Sequence, residues 1–239
     1  MDITAERRDL AAAFRWAARF GLNEGVCNHF SVDMGEGRFL VNPFGMHWSE
    51  IRASDVILVD DEGAVLEGDG ELEETAFFIH RAIHQACPQA RCVMHTHMPY
   101  ATALTCLEDG RLLPIHQTAI RFVDRTAYDD EYGGLALDAG EGERIASKMG
   151  NNSVLFLAHH GVVTTGRTVA IAFDDLYYLE RVAELQVLAT STGRPLKLVD
   201  EAAVRHTLEQ YGKGNEDYGE AHFAALKRIL DREEPEYAQ

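Results

Sequence analysis

Two short runs carry the residues best suited to chemistry: CVMHTH, ending at His97, and LFLAHHG, ending at Gly161. A strand repeats its side-chain direction every two residues, so Val93, His95 and His97 share one face of the first run and Cys92, Met94 and Thr96 the other. The two imidazoles then stand about 6 to 7 Å apart along the strand, a spacing from which both reach one ion. A solvated edge strand with two surface histidines is the competing reading of the same spacing. In the second run His159 and His160 face opposite sides, so at most one of them continues the metal face, and Gly161 permits a turn that a β-carbon would obstruct. Three neutral imidazoles leave a coordination position for water or a substrate oxygen, the arrangement of catalytic zinc. Mn2+, Co2+ and Fe2+ are alternatives, iron being the weaker because its oxygenases more often combine two histidines with a carboxylate.

A second histidine pair lies in HRAIH, where His80 and His84 are one helical turn apart. Arg81 stands where the HExxH zinc-protease helix needs its glutamate, which removes that mechanism. His80 is expected as a core group hydrogen-bonded under the metal site, and His84 as partly exposed. The chain has no GxGxxG and no GxxxxGK[ST], so dinucleotide and P-loop chemistry lack support.

The elements that position these residues follow from periodicity. Residues 4–20 place Leu10, Phe14, Ala17 and Ala18 at helical spacing and stop at Gly21. Short strand-like runs at 29–32, 38–41 and 56–59 are separated by glycine, proline and aspartate breakers. A helix is expected over 73–86, closed by Pro88, then a strand over 91–97. The pattern at 112–122 is ambiguous, 140–149 reads as a helix and 154–159 as a buried strand. The longest helix runs over 169–190. One or two further helices follow residue 196, with a mobile charged tail, DREEPEYAQ. Helices alternating with short strands predict one α/β or α+β domain whose helices cover a sheet.

Composition narrows the function classes. With 22 Lys and Arg against 39 Asp and Glu, the net charge is -17. Such a surface repels nucleic-acid backbones and anionic lipid, so the expected partner is a small molecule. No apolar run approaches a membrane span, the first twenty residues lack a secretion signal, and four cysteines match no disulfide or metal framework. A reducing cytoplasm is the expected home.

The motifs GVCNHFS (25–31), NPFG (42–45), FFIHRAIHQACPQARCVMHTH (77–97) and HHG (159–161) together resemble the class II aldolase/adducin family, typified by L-fuculose-phosphate and L-ribulose-phosphate enzymes. The resemblance covers about residues 6–190, within a single domain spanning 1–239 that ends in a helical extension from 196. It implies a three-layer α/β/α fold with a largely antiparallel sheet, and a homotetramer with active sites at subunit interfaces. It also implies zinc held by His95, His97 and His160, acting as a Lewis acid while a nearby group moves a proton.

Departures from the family pattern bear on the substrate. The Ser-Ser-Glu stretch of the aldolases falls here on Glu74, Thr75 and Ala76, and Phe44 replaces a hydroxyl residue before Gly45, while Asn28 is kept. An alanine cannot shuttle a proton, and Glu74 and Phe44 disfavour a phosphate dianion. The expected substrate is therefore a non-phosphorylated hydroxy or keto compound, apolar or aromatic and carboxylated. His29, Glu73 and Glu74 are the candidate acid/base groups, although either glutamate also fits a solvated helix start. Asn28, Phe44, Gly45, Thr75, His116, Arg121 and Tyr128, with His47, are the candidate pocket residues, and Arg121 suits a substrate carboxylate. The expected function is a zinc-dependent carbon–carbon lyase, an aldolase or a decarboxylase, the missing glutamate favouring the latter. The alternatives are a non-catalytic adducin-like interaction module and a metal-dependent dehydratase or oxygenase. Adducin heads have lost metal ligands that this chain retains.

Overall fold

The computed structural model describes residues 2–212 and 215–239. Its centre is one eight-stranded sheet in the order β4-β3-β2-β1-β5-β8-β7-β6. The strands are β1 (His29–Gly35), β2 (Arg38–Val41), β3 (Ile57–Asp60), β4 (Val65–Glu67), β5 (Cys92–Thr96), β6 (Thr126–Asp129), β7 (Val154–Leu157) and β8 (Gly161–Gly166). Every neighbouring pair is antiparallel except β6 with β7.

The period of two divides the sheet between two cores. Phe30, Val32, Cys92, Met94, Phe156 and Val162 face one side, against α1 (Ile3–Arg19), α3 (Pro99–Thr105), α6 (Val169–Thr190) and α8 (Asn215–Glu233). Val93, Leu155, Leu157 and Val163 face the other, against α2 (Glu74–Ala86) and α5 (Ala139–Met149). The result is the three-layer α/β/α arrangement with a largely antiparallel sheet. On the first side Phe14 of α1 stacks on Phe30 of β1 with centroids 4.8 Å apart. On the second, a β-carbon at Gly142 would lie 2.4 Å from the Phe78 carbonyl oxygen, so glycine allows α2 and α5 to approach closely.

Several helix starts carry a side-chain cap. Asp2, Glu73, Asp138, Thr168 and Asp200 each accept a backbone N–H from the first turn of the helix that follows, the last opening α7 (Glu201–Tyr211). The differences lie elsewhere. The run at 154–159 is a strand only to Leu157, and a second strand, β8, returns beside it from Gly161. Gly161 is required less for its own turn than for this return: a β-carbon there would lie 2.5 Å from the Thr96 carbonyl oxygen of β5. The ambiguous stretch at 112–122 is irregular and then forms α4 (Gln117–Ile120).

The charged tail is docked rather than mobile. Arg15 on α1 is buried and donates to the Ile51 and Glu50 carbonyl oxygens at 2.9 and 3.0 Å and to Glu234 at 3.0 Å. Tyr237 is 2% exposed, and the Gln239 carbonyl accepts the Ser54 N–H. Charge density alone suggested freedom, but the partner cations sit on α1, more than two hundred residues away. Because Arg15 satisfies three acceptors, Arg15→Ala is expected to lower unfolding free energy by about 2–3 kcal/mol. Removal of residues 234–239 should cost a similar amount. The double variant should lose less than the sum, which urea unfolding measures.

Candidate metal centre and active site

The β1–β5–β8 register assembles the site. His29 of β1 lies directly opposite His95 of β5, which in turn pairs with Val163 of β8. His97 follows the end of β5, and His160 occupies the connection between β7 and β8, immediately before Gly161. The donor atoms of His95, His97 and His160 all lie within 4.8 Å of one another. His159 adopts a left-handed backbone (φ 56°), and its ring approaches Tyr132 instead. That twist places the second histidine of the pair, and not the first, with His95 and His97.

Hydrogen-bond directions test whether this cluster suits a cation. His95 Nδ1 lies 3.0 Å from the Val162 carbonyl oxygen and His97 Nδ1 lies 2.6 Å from Glu24 Oε2. Both partners accept, so both rings carry hydrogen on Nδ1, and each neutral ring then has its lone pair on Nε2. These two Nε2 atoms face each other at 3.1 Å. Two lone pairs hold that separation when a cation lies against both, and the edge of a tetrahedral zinc site is about 3.3 Å. Burial holds His160 at a pKa of about 4 and His95 well below its usual value, with the neighbouring imidazoles adding to the effect. Neutral imidazoles are the ligand form, so the set fits a divalent ion.

Around the cluster stand groups suited to a substrate. Asn28 adopts φ 79°, and its Oδ1 accepts the backbone N–H groups of Glu24 and His97 at 3.2 and 3.3 Å. Its Nδ2 is buried and has no partner among the described residues. Asn42 of the NPFG motif holds the Asn28 carbonyl at 3.3 Å and accepts from Phe30. Glu73 caps α2: its Oε2 takes the Ala76 N–H at 2.7 Å and the Thr75 hydroxyl at 2.5 Å. The same oxygen lies 3.7 Å from His29 Nε2. Ala76, at the position of the family glutamate, is 1% exposed. His29 stacks on His95 with centroids 5.1 Å apart, and burial, then the nearby His97 and His160, lower its pKa to about 3.

Other candidate residues fall elsewhere. Glu74 is the exposed first residue of α2, and Phe44, 55% exposed, and Gly45, at φ 81°, form an open loop. His47 is exposed and contacts Ser49 and Asn23. Arg121 must be corrected: it is buried and paired with Asp174 and Asp175 of α6, the latter at 2.8 Å. Its charge is therefore neutralised inside the α6 layer and is not offered to a carboxylate. Tyr128 accepts the Leu112 N–H, lies beneath the Arg111 guanidinium and lines a separate cavity of about 260 Å³ with Thr105 and Asp129. His116 caps α4 through Nδ1. Within one chain, neither joins the histidine cluster. Glu24 and Ser31 were missed. Glu24 sits four residues before Asn28, but only the fold brings it to His97, and Ser31 shares the inner face of β1 with His29.

Residues 8–187 match the family model described as class II aldolase and adducin N-terminal domain. The chain belongs to this family. A Caulobacter vibrioides relative whose name provisionally places it in aldolase class 2 is 37% identical, over 97% of this chain and 91% of its own. The decarboxylase NovR of Streptomyces niveus is 32% identical over 92% of this chain and 84% of that protein. Alpha-adducin of Mus musculus is 35% identical over 94% of this chain, which corresponds to only 33% of adducin. Among solved structures, an aldolase II superfamily protein from Pseudomonas syringae superposes with TM-score 0.92 at 35% identity, covering 99% of this chain and 96% of that one. L-fuculose 1-phosphate aldolase from Glaciozyma antarctica gives 0.85 at 27%, covering 99% and 92%.

Two measurements follow from this geometry. With zinc as the probe ion, His97→Ala should retain after dialysis less than about a tenth of what the unaltered protein retains, and abolish any rise in melting temperature on zinc addition. His84 is half-buried, as its sequence position predicts, bonded to Ser31 and the Ala90 carbonyl, and desolvation lowers its pKa to about 4. The unfolded chain takes that proton near pH 6.5, so between these values it binds more protons than the native state. Stability should therefore fall as pH drops from 6.5 to 4. Urea unfolding of chelator-treated protein at pH 7 and pH 5 should show a shallower loss in His84→Gln, by up to about 1.4 kcal/mol per pH unit.

Proposed function

We propose that the protein is a zinc-dependent carbon–carbon lyase acting on a non-phosphorylated hydroxy or keto acid. The observation that carries this reading is the convergence of His29 Nε2 and Glu73 Oε2, 3.7 Å apart, beside the three-histidine cluster. That gap is too wide for a direct hydrogen bond, yet both atoms can reach one proton. The pair is in place although the family glutamate position is Ala76.

His95, His97 and His160 would hold the ion. When bound, a divalent ion supplies Lewis acidity to a substrate oxygen that gains charge as the carbon–carbon bond breaks. His29 takes the proton of a substrate hydroxyl, for which the Glu73 carboxylate beside Nε2 must offset the burial that lowers the His29 pKa to about 3, and the same pair returns the proton to carbon. Asn28 Nδ2, buried and without a partner among the described residues, donates to a substrate oxygen. Phe44 and Glu74, both exposed, stand at positions where the family pattern has phosphate-binding residues, which supports a non-phosphorylated substrate, in keeping with a relative named as a decarboxylase. Aldol cleavage uses both proton movements, whereas decarboxylation of a keto or hydroxy acid needs only the Lewis acid and the delivery of a proton to carbon.

The same reading takes the enzyme as a cytoplasmic homotetramer. Supporting it are four unpaired cysteines and the exposed Leu135 and Leu137, on the stretch that carries Tyr132 to His159. The non-catalytic alternative has support in alpha-adducin, and metal analysis separates the two. Less than about a tenth of an equivalent per chain, with no gain on reconstitution, favours the interaction module.

The deciding assay is release of CO2 or aldehyde from a panel of hydroxy acids and catechol carboxylates by the zinc-loaded protein. Faster turnover of L-fuculose or L-ribulose phosphate than of any such acid would overturn the substrate assignment. On the best substrate, His29→Gln is expected to lower kcat about 10²- to 10⁴-fold, and Glu73→Gln by about tenfold.

A further inference from the structure

Beneath the histidine cluster, four side chains form one continuous hydrogen-bonded chain. His29 Nδ1 lies 2.9 Å from His80 Nε2, and His80 Nδ1 lies 2.5 Å from Ser31 Oγ. Ser31 Oγ is 2.7 Å from His84 Nε2, and His84 Nδ1 is 3.0 Å from the Ala90 carbonyl oxygen. The spacing arises from register: His29 and Ser31 are two apart on one face of β1, and His80 and His84 are one turn apart on the facing side of α2. A strand repeat of about 6–7 Å therefore meets a helical turn of about 5.4 Å, and the four groups interlock.

One end of this chain sets the direction of every bond in it. A carbonyl oxygen only accepts, so His84 carries its hydrogen on Nδ1. Its Nε2 is then a lone pair and takes the Ser31 hydroxyl hydrogen. The Ser31 oxygen accepts from His80 Nδ1–H, leaving His80 Nε2 as a lone pair that accepts from His29 Nδ1–H. The opposite direction would require the half-buried His84 to be a cation, against the desolvation that lowers its pKa to about 4. Ser31 and His80 are fully enclosed, so solvent does not compete for these bonds.

We infer that Ser31, His80 and His84 are positioning residues that hold His29 in its Nδ1–H tautomer, with the Nε2 lone pair directed at Glu73 and the substrate. The inference rests on the proposed role of His29 as proton acceptor. It also gives the HRAIH pair a role that is neither metal binding nor simple packing. A histidine in the other tautomer would present N–H to the substrate hydroxyl and could not take its proton.

The test combines nitrogen spectra with kinetics on zinc-loaded protein. Two-bond proton–nitrogen correlation of labelled histidine should show protonated Nδ1 and bare Nε2 at His29, His80 and His84. Ser31→Ala is expected to shift His29 out of that form and to lower kcat about 10- to 100-fold, at unchanged KM and zinc content. Ser31→Thr, which keeps the hydroxyl, should restore both. A protonated Nε2 at His29 in the native protein would overturn the inference, as would native tautomer signals or a loss of zinc in Ser31→Ala. If His29→Gln keeps full kcat while the native tautomers are as stated, the hydrogen-bonded chain stands and the role of His29 as base falls.

Discussion

Strand β5 is hydrogen-bonded on one edge to β1 and on the other to β8, and the register of these two ladders determines what the site contains. His29 opposes His95, and β8 begins where the hairpin has delivered His160. A one-residue slip of β5 would turn His95 into the apolar layer of Phe14 and Phe173 and bring Met94 to the site. Both cores resist such a slip, because Cys92 and Met94 fill one and Val93 the other. The packing that stabilises the sheet is thus what aligns the ligands.

A group of buried imidazoles is costly unless each nitrogen has a partner. Here the cost is offset in two ways. His95 and His97 pass their hydrogens outward to Val162 and Glu24, which leaves lone pairs facing inward where a cation is stabilised. His29, His80 and His84 satisfy one another through Ser31 and end on a carbonyl. The two sets meet at the stack of His29 on His95, so the three-histidine cluster and the proposed base share one support.

The fold is common property of this family, whereas the reaction depends on the side chains placed upon it. Relatives carry names as different as a decarboxylase and alpha-adducin on sequences more than 30% identical to this one. In this chain the retained ligands separate it from a scaffold stripped of metal. The proposed non-phosphorylated substrate draws on the alanine at position 76 and the exposed aromatic at position 44, where the family pattern has a glutamate and a hydroxyl residue.

Local periodicity determined a good part of this picture. The period of two paired His95 with His97, helical spacing placed α6 at both ends, and the resemblance in HHG pointed to His160. These features were legible because each depends on neighbours a few residues away. Spacing could not choose between His159 and His160, since the choice turns on a left-handed residue inside a tight β7–β8 return. Nor could it separate Glu73 from Glu74, which differ only in that Glu73 turns back to cap α2 and so reaches His29. Arg121 looked free to bind a carboxylate because Asp174 and Asp175 lie more than fifty residues away, and the tail looked free because its cations lie on α1. Charge and hydrogen-bond partners far apart in the chain were decided by tertiary structure alone, because only packing fixes which distant groups share a desolvated space.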